Sequence, residues 1–258
     1  MFNFNKVEFL KNDGFDIFEI KNFLDFEYYK KIKSNLPTLK IEDFDKKYTI
    51  NKKIGLQPND GEYEKVILSN PTLYEFHNNI YSKDFIKKII NLFKIRIFKS
   101  RLVDINYLLK LIIRNNNFVL QNKKKNFYEK ILFNNIYPSI QYSFMFNGSK
   151  IVPHTDSRAK LISLMLYFPD ESLSENDYNK LGTSFYNSKN KNFTNTHLLD
   201  EENERLFKEQ SKKFLTLPFK PYNLYGFIRT DKSWHTVEKI NMHENFIRKS
   251  ININILFD

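Results

Sequence analysis

The sequence contains no cysteine, and its 258 residues include only 6 glycines, 8 prolines and one tryptophan. The absence of cysteine excludes disulfides, thiolate zinc sites, iron–sulfur ligation and a cysteine nucleophile, so nitrogen and oxygen atoms must hold any metal. No run of about 18 apolar residues occurs, so no membrane span is expected. The first residues lack a basic segment followed by an apolar one, and a cytoplasmic protein is therefore the expectation.

Positive charge is in excess, because 41 Lys and Arg residues face 30 Asp and Glu residues and give a formal net charge of +11. Such a balance favours a nucleic-acid partner. The basic residues are mostly lysines spread along the whole chain, however, and only Lys123–Lys125 and Lys87–Arg101 are clustered. A biased codon composition produces the same pattern. A nucleic-acid partner is therefore retained as an alternative.

The order of the patterns predicts helices first and strands afterwards within one domain, residues 1–258. A short strand at 14–20 precedes a helix from Phe26 to Asn35, which Asp25 caps and which ends before Pro37. Apolar residues recur at steps of three and four from Asp84 to Asn115 and predict one or two helices. Residues 37–65 are polar and predict a long loop.

Short β-type runs separated by turn residues dominate the second half of the chain. They are 140–146, 161–168, 183–186, 213–217, 223–228 and 249–257. Many short strands at this spacing predict a sandwich or a barrel-like roll. We therefore expect an α+β chain in which residues 1–135 support a mainly β core at 136–258, with a polar insertion at about 170–209.

His154 and Asp156 lie two residues apart in Val-Pro-His-Thr-Asp-Ser, just before a β run. On an extended segment, residues i and i+2 point to the same side, so the imidazole and the carboxylate face one pocket. His235, which lies 81 residues later beside another β run, would add a second imidazole. Two histidines and one carboxylate form the facial triad of non-haem iron(II) oxygenases, which leaves three coordination positions open.

Arg248 opens the last β run, 13 residues after His235. A dicarboxylate such as 2-oxoglutarate chelates iron at its keto-acid end, and its far carboxylate then needs a partner inside the core. A guanidinium binds a carboxylate in a bidentate manner and keeps its charge. Ser250 lies on the same strand face and can donate a second hydrogen bond.

The C-terminal 120 residues or so resemble the 2-oxoglutarate- and iron(II)-dependent oxygenase superfamily, near its prolyl 4-hydroxylase-like branch. Five ordered segments carry the resemblance: Ile140–Gly148 with Pro153–Asp156, Arg158 with Leu161–Phe168, Leu181–Phe185, Ser233–Val237, and Arg248 with Ser250. The N-terminal strand and helix up to Asn35 also resemble the usual opening of such proteins. Three departures are Met145 where the family often has Tyr, Leu181 in place of a Gly, and a longer interval between His235 and Arg248.

The resemblance implies a double-stranded β-helix (jelly-roll) core with flanking N-terminal helices. It implies Fe(II) on His154, Asp156 and His235, and 2-oxoglutarate on Arg248, with Tyr167 reaching the far carboxylate. Gln141 and Ser143 share the strand parity of Met145 and could replace the missing Tyr. The implied activity is a hydroxylase that uses O2, with ascorbate as a further candidate cofactor.

The resemblance does not fix the substrate, and a peptidyl proline, a free amino acid, or a sugar or lipid precursor remain open. Two other classes are retained: a nucleic-acid modifying oxygenase, and a non-catalytic jelly-roll binding module. Among the remaining candidates, His243 is expected in an exposed turn, and His197 lies in the polar insertion, which could cover the pocket. Trp234 is expected to pack on the face opposite His235.

Overall fold

In the computed structural model, the described residues are 2–10, 14–43, 49–50, 52–100, 136–188 and 200–257. Several features singled out above lie outside these residues. They are the predicted helix beyond Ser100, the cluster Lys123–Lys125, His197, and part of the predicted polar insertion. The boundaries of the single predicted domain likewise stay a prediction.

Several of the helices begin where the sequence supplies a capping side chain. They are α1 (Phe26–Asn35), α2 (Gly61–Tyr63, continued by a π-helical turn over Glu64–Leu68), α3 (Pro71–Ile80), α4 (Lys83–Ser100), α5 (Glu175–Lys180) and α6 (Glu201–Gln210), with a 3-10 turn at Ile41–Asp43. The Asp25 carboxylate accepts a hydrogen bond of 2.8 Å from the amide of Tyr28 and starts α1 as predicted. Asn70 caps α3 in the same way, with Pro71 at the first helical position. Among the described residues, no helix combines the length and the apolar character that crossing a bilayer requires, and the cytoplasmic location stays a prediction.

Twelve strands of the described residues form two antiparallel sheets. They are β1 (Val7–Phe9), β2 (Ile17–Ile20), β3 (Thr49–Ile50), β4 (Lys53–Leu56), β5 (Ile136–Phe146), β6 (Ile151–His154), β7 (Lys160–Tyr167), β8 (Thr183–Ser188), β9 (Ser211–Leu217), β10 (Leu224–Ile228), β11 (Trp234–Val237) and β12 (Ile247–Phe257). The large sheet has the order β1-β2-β10-β7-β12-β5-β4-β3, and the small sheet has the order β6-β11-β8-β9.

Strands β5 to β12 follow the topology of a jelly roll. The chain passes between the two sheets, so that β5, β7, β10 and β12 lie in the large sheet and β6, β8, β9 and β11 lie in the small one. Two four-stranded antiparallel sheets connected in this way make up a double-stranded β-helix. The structure therefore confirms the predicted fold class, with two sheets that do not close into a barrel.

The large sheet is covered on both faces. On one face, alternate residues such as Ile251, Ile253 and Ile255 of β12 pack against apolar side chains of α1, α3 and α4. On the other face, Met145, Tyr167 and neighbouring side chains pack against residues of the small sheet such as Phe185. The space between the sheets is consequently enclosed, and it contains the candidate site.

Two sequence-based predictions need correction. Residues 37–65 are not one irregular loop, because β4 pairs with β5 and extends the large sheet, and α2 begins at Gly61. The stretch 170–209 is not one insertion, because β8 lies within it and forms the centre of the small sheet between β11 and β9. The residues before β8 form the capped helix α5, and those directly before β9 form α6.

Candidate functional site

The structure brings His154, Asp156 and His235 together. His154 ends β6 and lies directly opposite His235 of β11 in the antiparallel register, and their ring centroids are 4.2 Å apart. Asp156 follows two residues after His154, beyond the end of the strand. One ligand atom from each of the three side chains lies within 4.8 Å of the other two. Three donors that converge in this way can bind a single metal ion.

Two backbone carbonyls orient the imidazoles. His154 Nδ1 lies 2.9 Å from the carbonyl oxygen of Val152, and His235 Nδ1 lies 3.0 Å from that of Ser233. Because a carbonyl oxygen only accepts, each Nδ1 must carry the proton and donate it, which leaves the lone pair of Nε2 for a metal. Burial lowers the pKa of His154 to about 3, with His235 contributing, and burial also lowers the pKa of His235. Both rings are therefore neutral near pH 7, as metal ligation requires.

Asp156 is held as a buried, ionised carboxylate. Ser163 Oγ donates to Oδ2 at 2.5 Å and Lys160 Nζ donates to Oδ1 at 2.5 Å. Burial alone would raise the pKa of Asp156, but the ammonium of Lys160 holds it below its ordinary value. Arg229 Nε donates to the Asp156 backbone oxygen at 2.9 Å and fixes the turn after β6.

Arg248 is a buried cation without an acidic partner among the described residues. Its side chain is 2% exposed. Nε donates to the backbone oxygen of Leu181 at 2.6 Å, and Nη1 lies 3.4 Å from Ser250 Oγ. The guanidinium also lies 5.0 Å from the ring centre of Tyr167 and 4.8 Å from that of Phe219. Burial lowers the pKa of Arg248 from its ordinary value, yet the group stays charged at neutral pH. An incoming carboxylate would therefore gain a desolvated, oriented partner.

One cavity of about 280 Å³ joins the metal-binding candidates to Arg248. Ser143 and Ser250 also line it. Ser143 Oγ is buried and has no hydrogen-bond partner within the described part of the chain, so it is available to a ligand or to water. Two neutral imidazole nitrogens and one carboxylate suit Fe(II), and an unpaired guanidinium suits the far carboxylate of 2-oxoglutarate. The residues therefore fit both groups.

The structure also locates the other candidates. Tyr167 lies beside Arg248, and its hydroxyl is hydrogen-bonded to Thr183 Oγ1 at 2.7 Å. Trp234 is buried and packs against Phe207 of α6, with ring centres 4.8 Å apart, on the face of β11 opposite His235, as predicted. His243 is exposed in a turn, also as predicted.

Sequence reasoning missed several residues that line the cavity or support it. They are Lys53, Lys160, Ser163, Arg229, Asn252 and Asn254. A signal for the last two was present, because β12 alternates polar and apolar residues from Ser250 to Ile255, and Ser250, Asn252 and Asn254 share the strand face of Arg248. Lys53 gave no signal, because the stretch around it reads as a loop.

The chain shows only distant similarity to known proteins. No protein-family model matches the sequence, and no curated protein matches it significantly. Among solved structures, the chain is similar to a prolyl-4-hydroxylase of Pseudomonas putida, with a TM-score of 0.43 and 12% identity over 92% of this chain and 90% of that one.

Two further solved structures resemble the chain to a comparable degree. One is an oxidoreductase of the 2OG-Fe(II) oxygenase family from Burkholderia pseudomallei, with a TM-score of 0.45 and 10% identity over 90% of this chain and 79% of that one. The other is HygX of Streptomyces hygroscopicus with nickel, 2-oxoglutarate and hygromycin B bound, with a TM-score of 0.46 and 8% identity over 93% of this chain and 82% of that one. At such values the likeness does not identify a reaction, which has to be inferred from the side chains of the site itself.

Proposed function

We propose that the protein is an Fe(II)- and 2-oxoglutarate-dependent dioxygenase that hydroxylates a C–H bond of a small molecule. One observation carries the proposal. His154, Asp156 and His235 converge at one end of a cavity in which Arg248 is buried without a carboxylate partner among the described residues. The first three residues suit the metal, and the fourth suits the co-substrate that such a metal uses.

When bound, iron together with 2-oxoglutarate and O2 supplies the oxidation, in which a substrate C–H becomes C–OH and the co-substrate becomes succinate and CO2. The protein contributes ligands, orientation and a dry cavity. Ser163 and Arg229 hold Asp156 in place. Phe227 and Phe185 lie 4.8 and 5.9 Å from the His235 ring, measured between ring centres, and exclude water from that side. Arg248 positions the co-substrate, and no general base is needed.

The substrate is inferred to be small. The cavity volume of about 280 Å³ is at the lower end of the range for small-molecule sites. Its walls offer amide and hydroxyl groups in addition to the metal ligands. A peptidyl proline stays an alternative, as do a sugar or lipid precursor. Binding of nucleic acid, which the charge of +11 favours, has no further support in the described residues.

The decisive experiment is an anaerobic titration with Fe(II) and then 2-oxoglutarate, followed by the visible absorption band of the iron–keto-acid chelate. The wild type is expected to bind one equivalent of each and to release succinate slowly in air without substrate. His154→Ala should bind iron at least about 100-fold more weakly, because loss of a direct ligand exceeds the effect of losing an outer-shell partner.

His243→Ala is the matched control, because this histidine is exposed and lies outside the cavity. It should behave as the wild type. If the wild type binds neither iron nor 2-oxoglutarate, the enzymatic proposal is wrong. If it binds metal but never consumes 2-oxoglutarate, the chain is the non-catalytic binding module instead.

A further inference from the structure

Lys53 of β4 is a second cation of the cavity without an acidic partner in the described ranges. Its side chain lines the cavity, and Nζ donates to Gln141 Oε1 of β5 at 3.3 Å. No carboxylate oxygen of the described residues lies within 4.0 Å of Lys53 Nζ, the limiting distance for an ion pair. Burial lowers the pKa of Lys53 to about 8, with Arg248 and Lys160 adding to the effect. A lysine in this position costs stability, because its partly buried charge is compensated only by the amide oxygen of Gln141 among the described residues.

The backbone of β4 makes room for this arrangement. Gly55 faces Gln141, and a Cβ atom at Gly55 would lie 3.1 Å from Gln141 Nε2. The absence of a side chain there lets the Gln141 amide lie against β4, where its oxygen holds the ammonium of Lys53. The contact between Lys53 and Gln141 is therefore formed by two neighbouring strands rather than by a surface loop.

The other charged groups of the cavity already have roles. Lys160 is paired with Asp156 at 2.5 Å, and under the proposed function Arg248 takes the far carboxylate of 2-oxoglutarate. Lys53 and Arg248 lie opposite the same residue of β5, Met145, but their charged groups have different partners. The Lys53 ammonium contacts Gln141 Oε1, whereas the Arg248 guanidinium donates to the Leu181 carbonyl. A co-substrate carboxylate held by Arg248 takes one of the two cations and leaves Lys53 for another anionic group.

We propose that the oxidised substrate is a small molecule that bears an anionic group, and that this group pairs with Lys53 at the β4–β5 side of the cavity. The inference rests on the proposed function and specifies its substrate class. Asn252 and Asn254 line the same cavity and offer hydrogen bonds to the rest of such a molecule. A carboxylate and a phosphate share the chemistry that a lysine recognises, and the experiment distinguishes them.

The test uses protein loaded with Ni(II) and N-oxalylglycine, which fill the metal and co-substrate sites without turnover. Inorganic phosphate and acetate are titrated separately by calorimetry at a constant ionic strength set with KCl. At least one of the two anions is expected to bind with 1:1 stoichiometry, and the preferred one identifies the substrate group. Lys53→Met should weaken this binding at least fivefold, and Lys53→Arg should restore most of it.

Lys52→Met is the matched control, because Lys52 is the exposed neighbour of Lys53, and it should bind the anion as the wild type does. The inference is overturned if neither anion binds to the loaded wild type, or if Lys53→Met binds the anion normally. It is also overturned if Lys53→Met loses affinity for N-oxalylglycine, because Lys53 would then belong to the co-substrate site. Failure of the wild type to bind Ni(II) and N-oxalylglycine at all would instead contradict the proposed function.

Discussion

At the scale of single residues, Arg248 combines burial with a lack of negative partners among the described residues. Its guanidinium is oriented by the Leu181 carbonyl at 2.6 Å and by the aromatic rings of Tyr167 and Phe219. A lysine at this position keeps the charge but not the planar fork that these contacts fix. The geometry of the guanidinium, as well as its charge, should therefore determine the affinity for the co-substrate.

Arg248→Lys is expected to raise the Kd of 2-oxoglutarate by about 10–100-fold, because one charge-assisted hydrogen bond contributes about 1.5–3 kcal/mol. Fe(II) affinity should not change, since the metal ligands are not in contact with Arg248. Anaerobic titration of the iron-loaded variant measures the first quantity, and titration with metal alone measures the second. Arg205→Lys, on the exposed face of α6, serves as the control. Unchanged 2-oxoglutarate affinity in Arg248→Lys would place the co-substrate elsewhere.

Lys53→Met is expected to raise the melting temperature at pH 7 by about 2–4 °C, since removal of an uncompensated charge stabilises the folded state. The pKa of Lys53 is about 8 in the folded protein, below its ordinary value of 10.5. Below pH 8 both states are charged, and the full cost of burial is present. Between pH 8 and 10.5 the folded state loses its proton first, so this cost decreases as the pH rises.

The difference between Lys53→Met and the wild type should therefore shrink from pH 7 to pH 10, as measured by thermal unfolding in the absence of ligands. Arg248 and Lys160 are the cations that act on Lys53. Lys52→Met should show no comparable dependence on pH. A variant that is less stable than the wild type at pH 7 would mean that Lys53 has a partner that stabilises it.

The site residues that could be predicted are those that carry a local signal in the sequence. His154 and Asp156 are separated by the two-residue step of a strand, and Arg248 and Ser250 by the same step. The role of Lys53 depends on β4 pairing with β5, which requires contact between residues 53 and 145. Neither residue type nor spacing encodes such a pairing. Arg229 could not be predicted for a similar reason, because its partner is a backbone oxygen 73 residues away.

At the scale of elements, Gly182 marks a close contact between the start of β8 and the end of β9. A Cβ atom there would overlap the backbone oxygen of Leu217 and lie 2.8 Å from Thr216 Cγ2. Since the obstacle is backbone, the strands would have to separate. Gly182 follows Leu181, whose carbonyl orients Arg248, so the contact also bears on the site.

Gly182→Ala is expected to lower the free energy of unfolding by at least about 2 kcal/mol, because overpacking against backbone is poorly relieved. Gly61→Ala, at the start of α2, is the matched control, since nothing lies within 4 Å of a Cβ atom there. It should be neutral or stabilising by up to about 1 kcal/mol. Denaturant unfolding of both variants measures the difference. Equal free energies of unfolding for Gly182→Ala and Gly61→Ala would contradict this contact between β8 and β9.

An element could be predicted where its own residues carry a strong local sequence signal. Helix α1 has a capping aspartate and a following proline, and its bounds of Phe26–Asn35 were predicted correctly. Strand β6 was harder to recognise, because it has four residues and includes Pro153. A proline is tolerated there since β6 lies at an edge of the small sheet. Strand β4 has four residues around Gly55, and only its long-range pairing with β5 distinguishes it from a loop.

At the scale of the whole molecule, the site draws its residues from both sheets. His154 and His235 belong to the small sheet, Arg248 belongs to the large one, and Asp156 lies on the connection between β6 and β7. A metal ion and a co-substrate would therefore add to the links between the sheets, which otherwise meet through apolar packing and hydrogen bonds such as that between Tyr167 and Thr183. Ligands that bind only the folded state stabilise it in proportion to the logarithm of their concentration over Kd.

Ni(II) and N-oxalylglycine at about 100 times their Kd should each stabilise the fold by about 2.7 kcal/mol, which is roughly 5.4 kcal/mol together. For a chain of this length, this corresponds to a rise of roughly 10–20 °C in melting temperature. Thermal unfolding with and without the ligands measures the shift, and a chelator should reverse it. His235→Ala should lose most of the shift, whereas His243→Ala should keep it. Removal of a direct ligand at the point where β11 meets β6 must weaken metal binding. If the melting temperature of His235→Ala rises as much as that of the wild type, the metal therefore binds outside the triad.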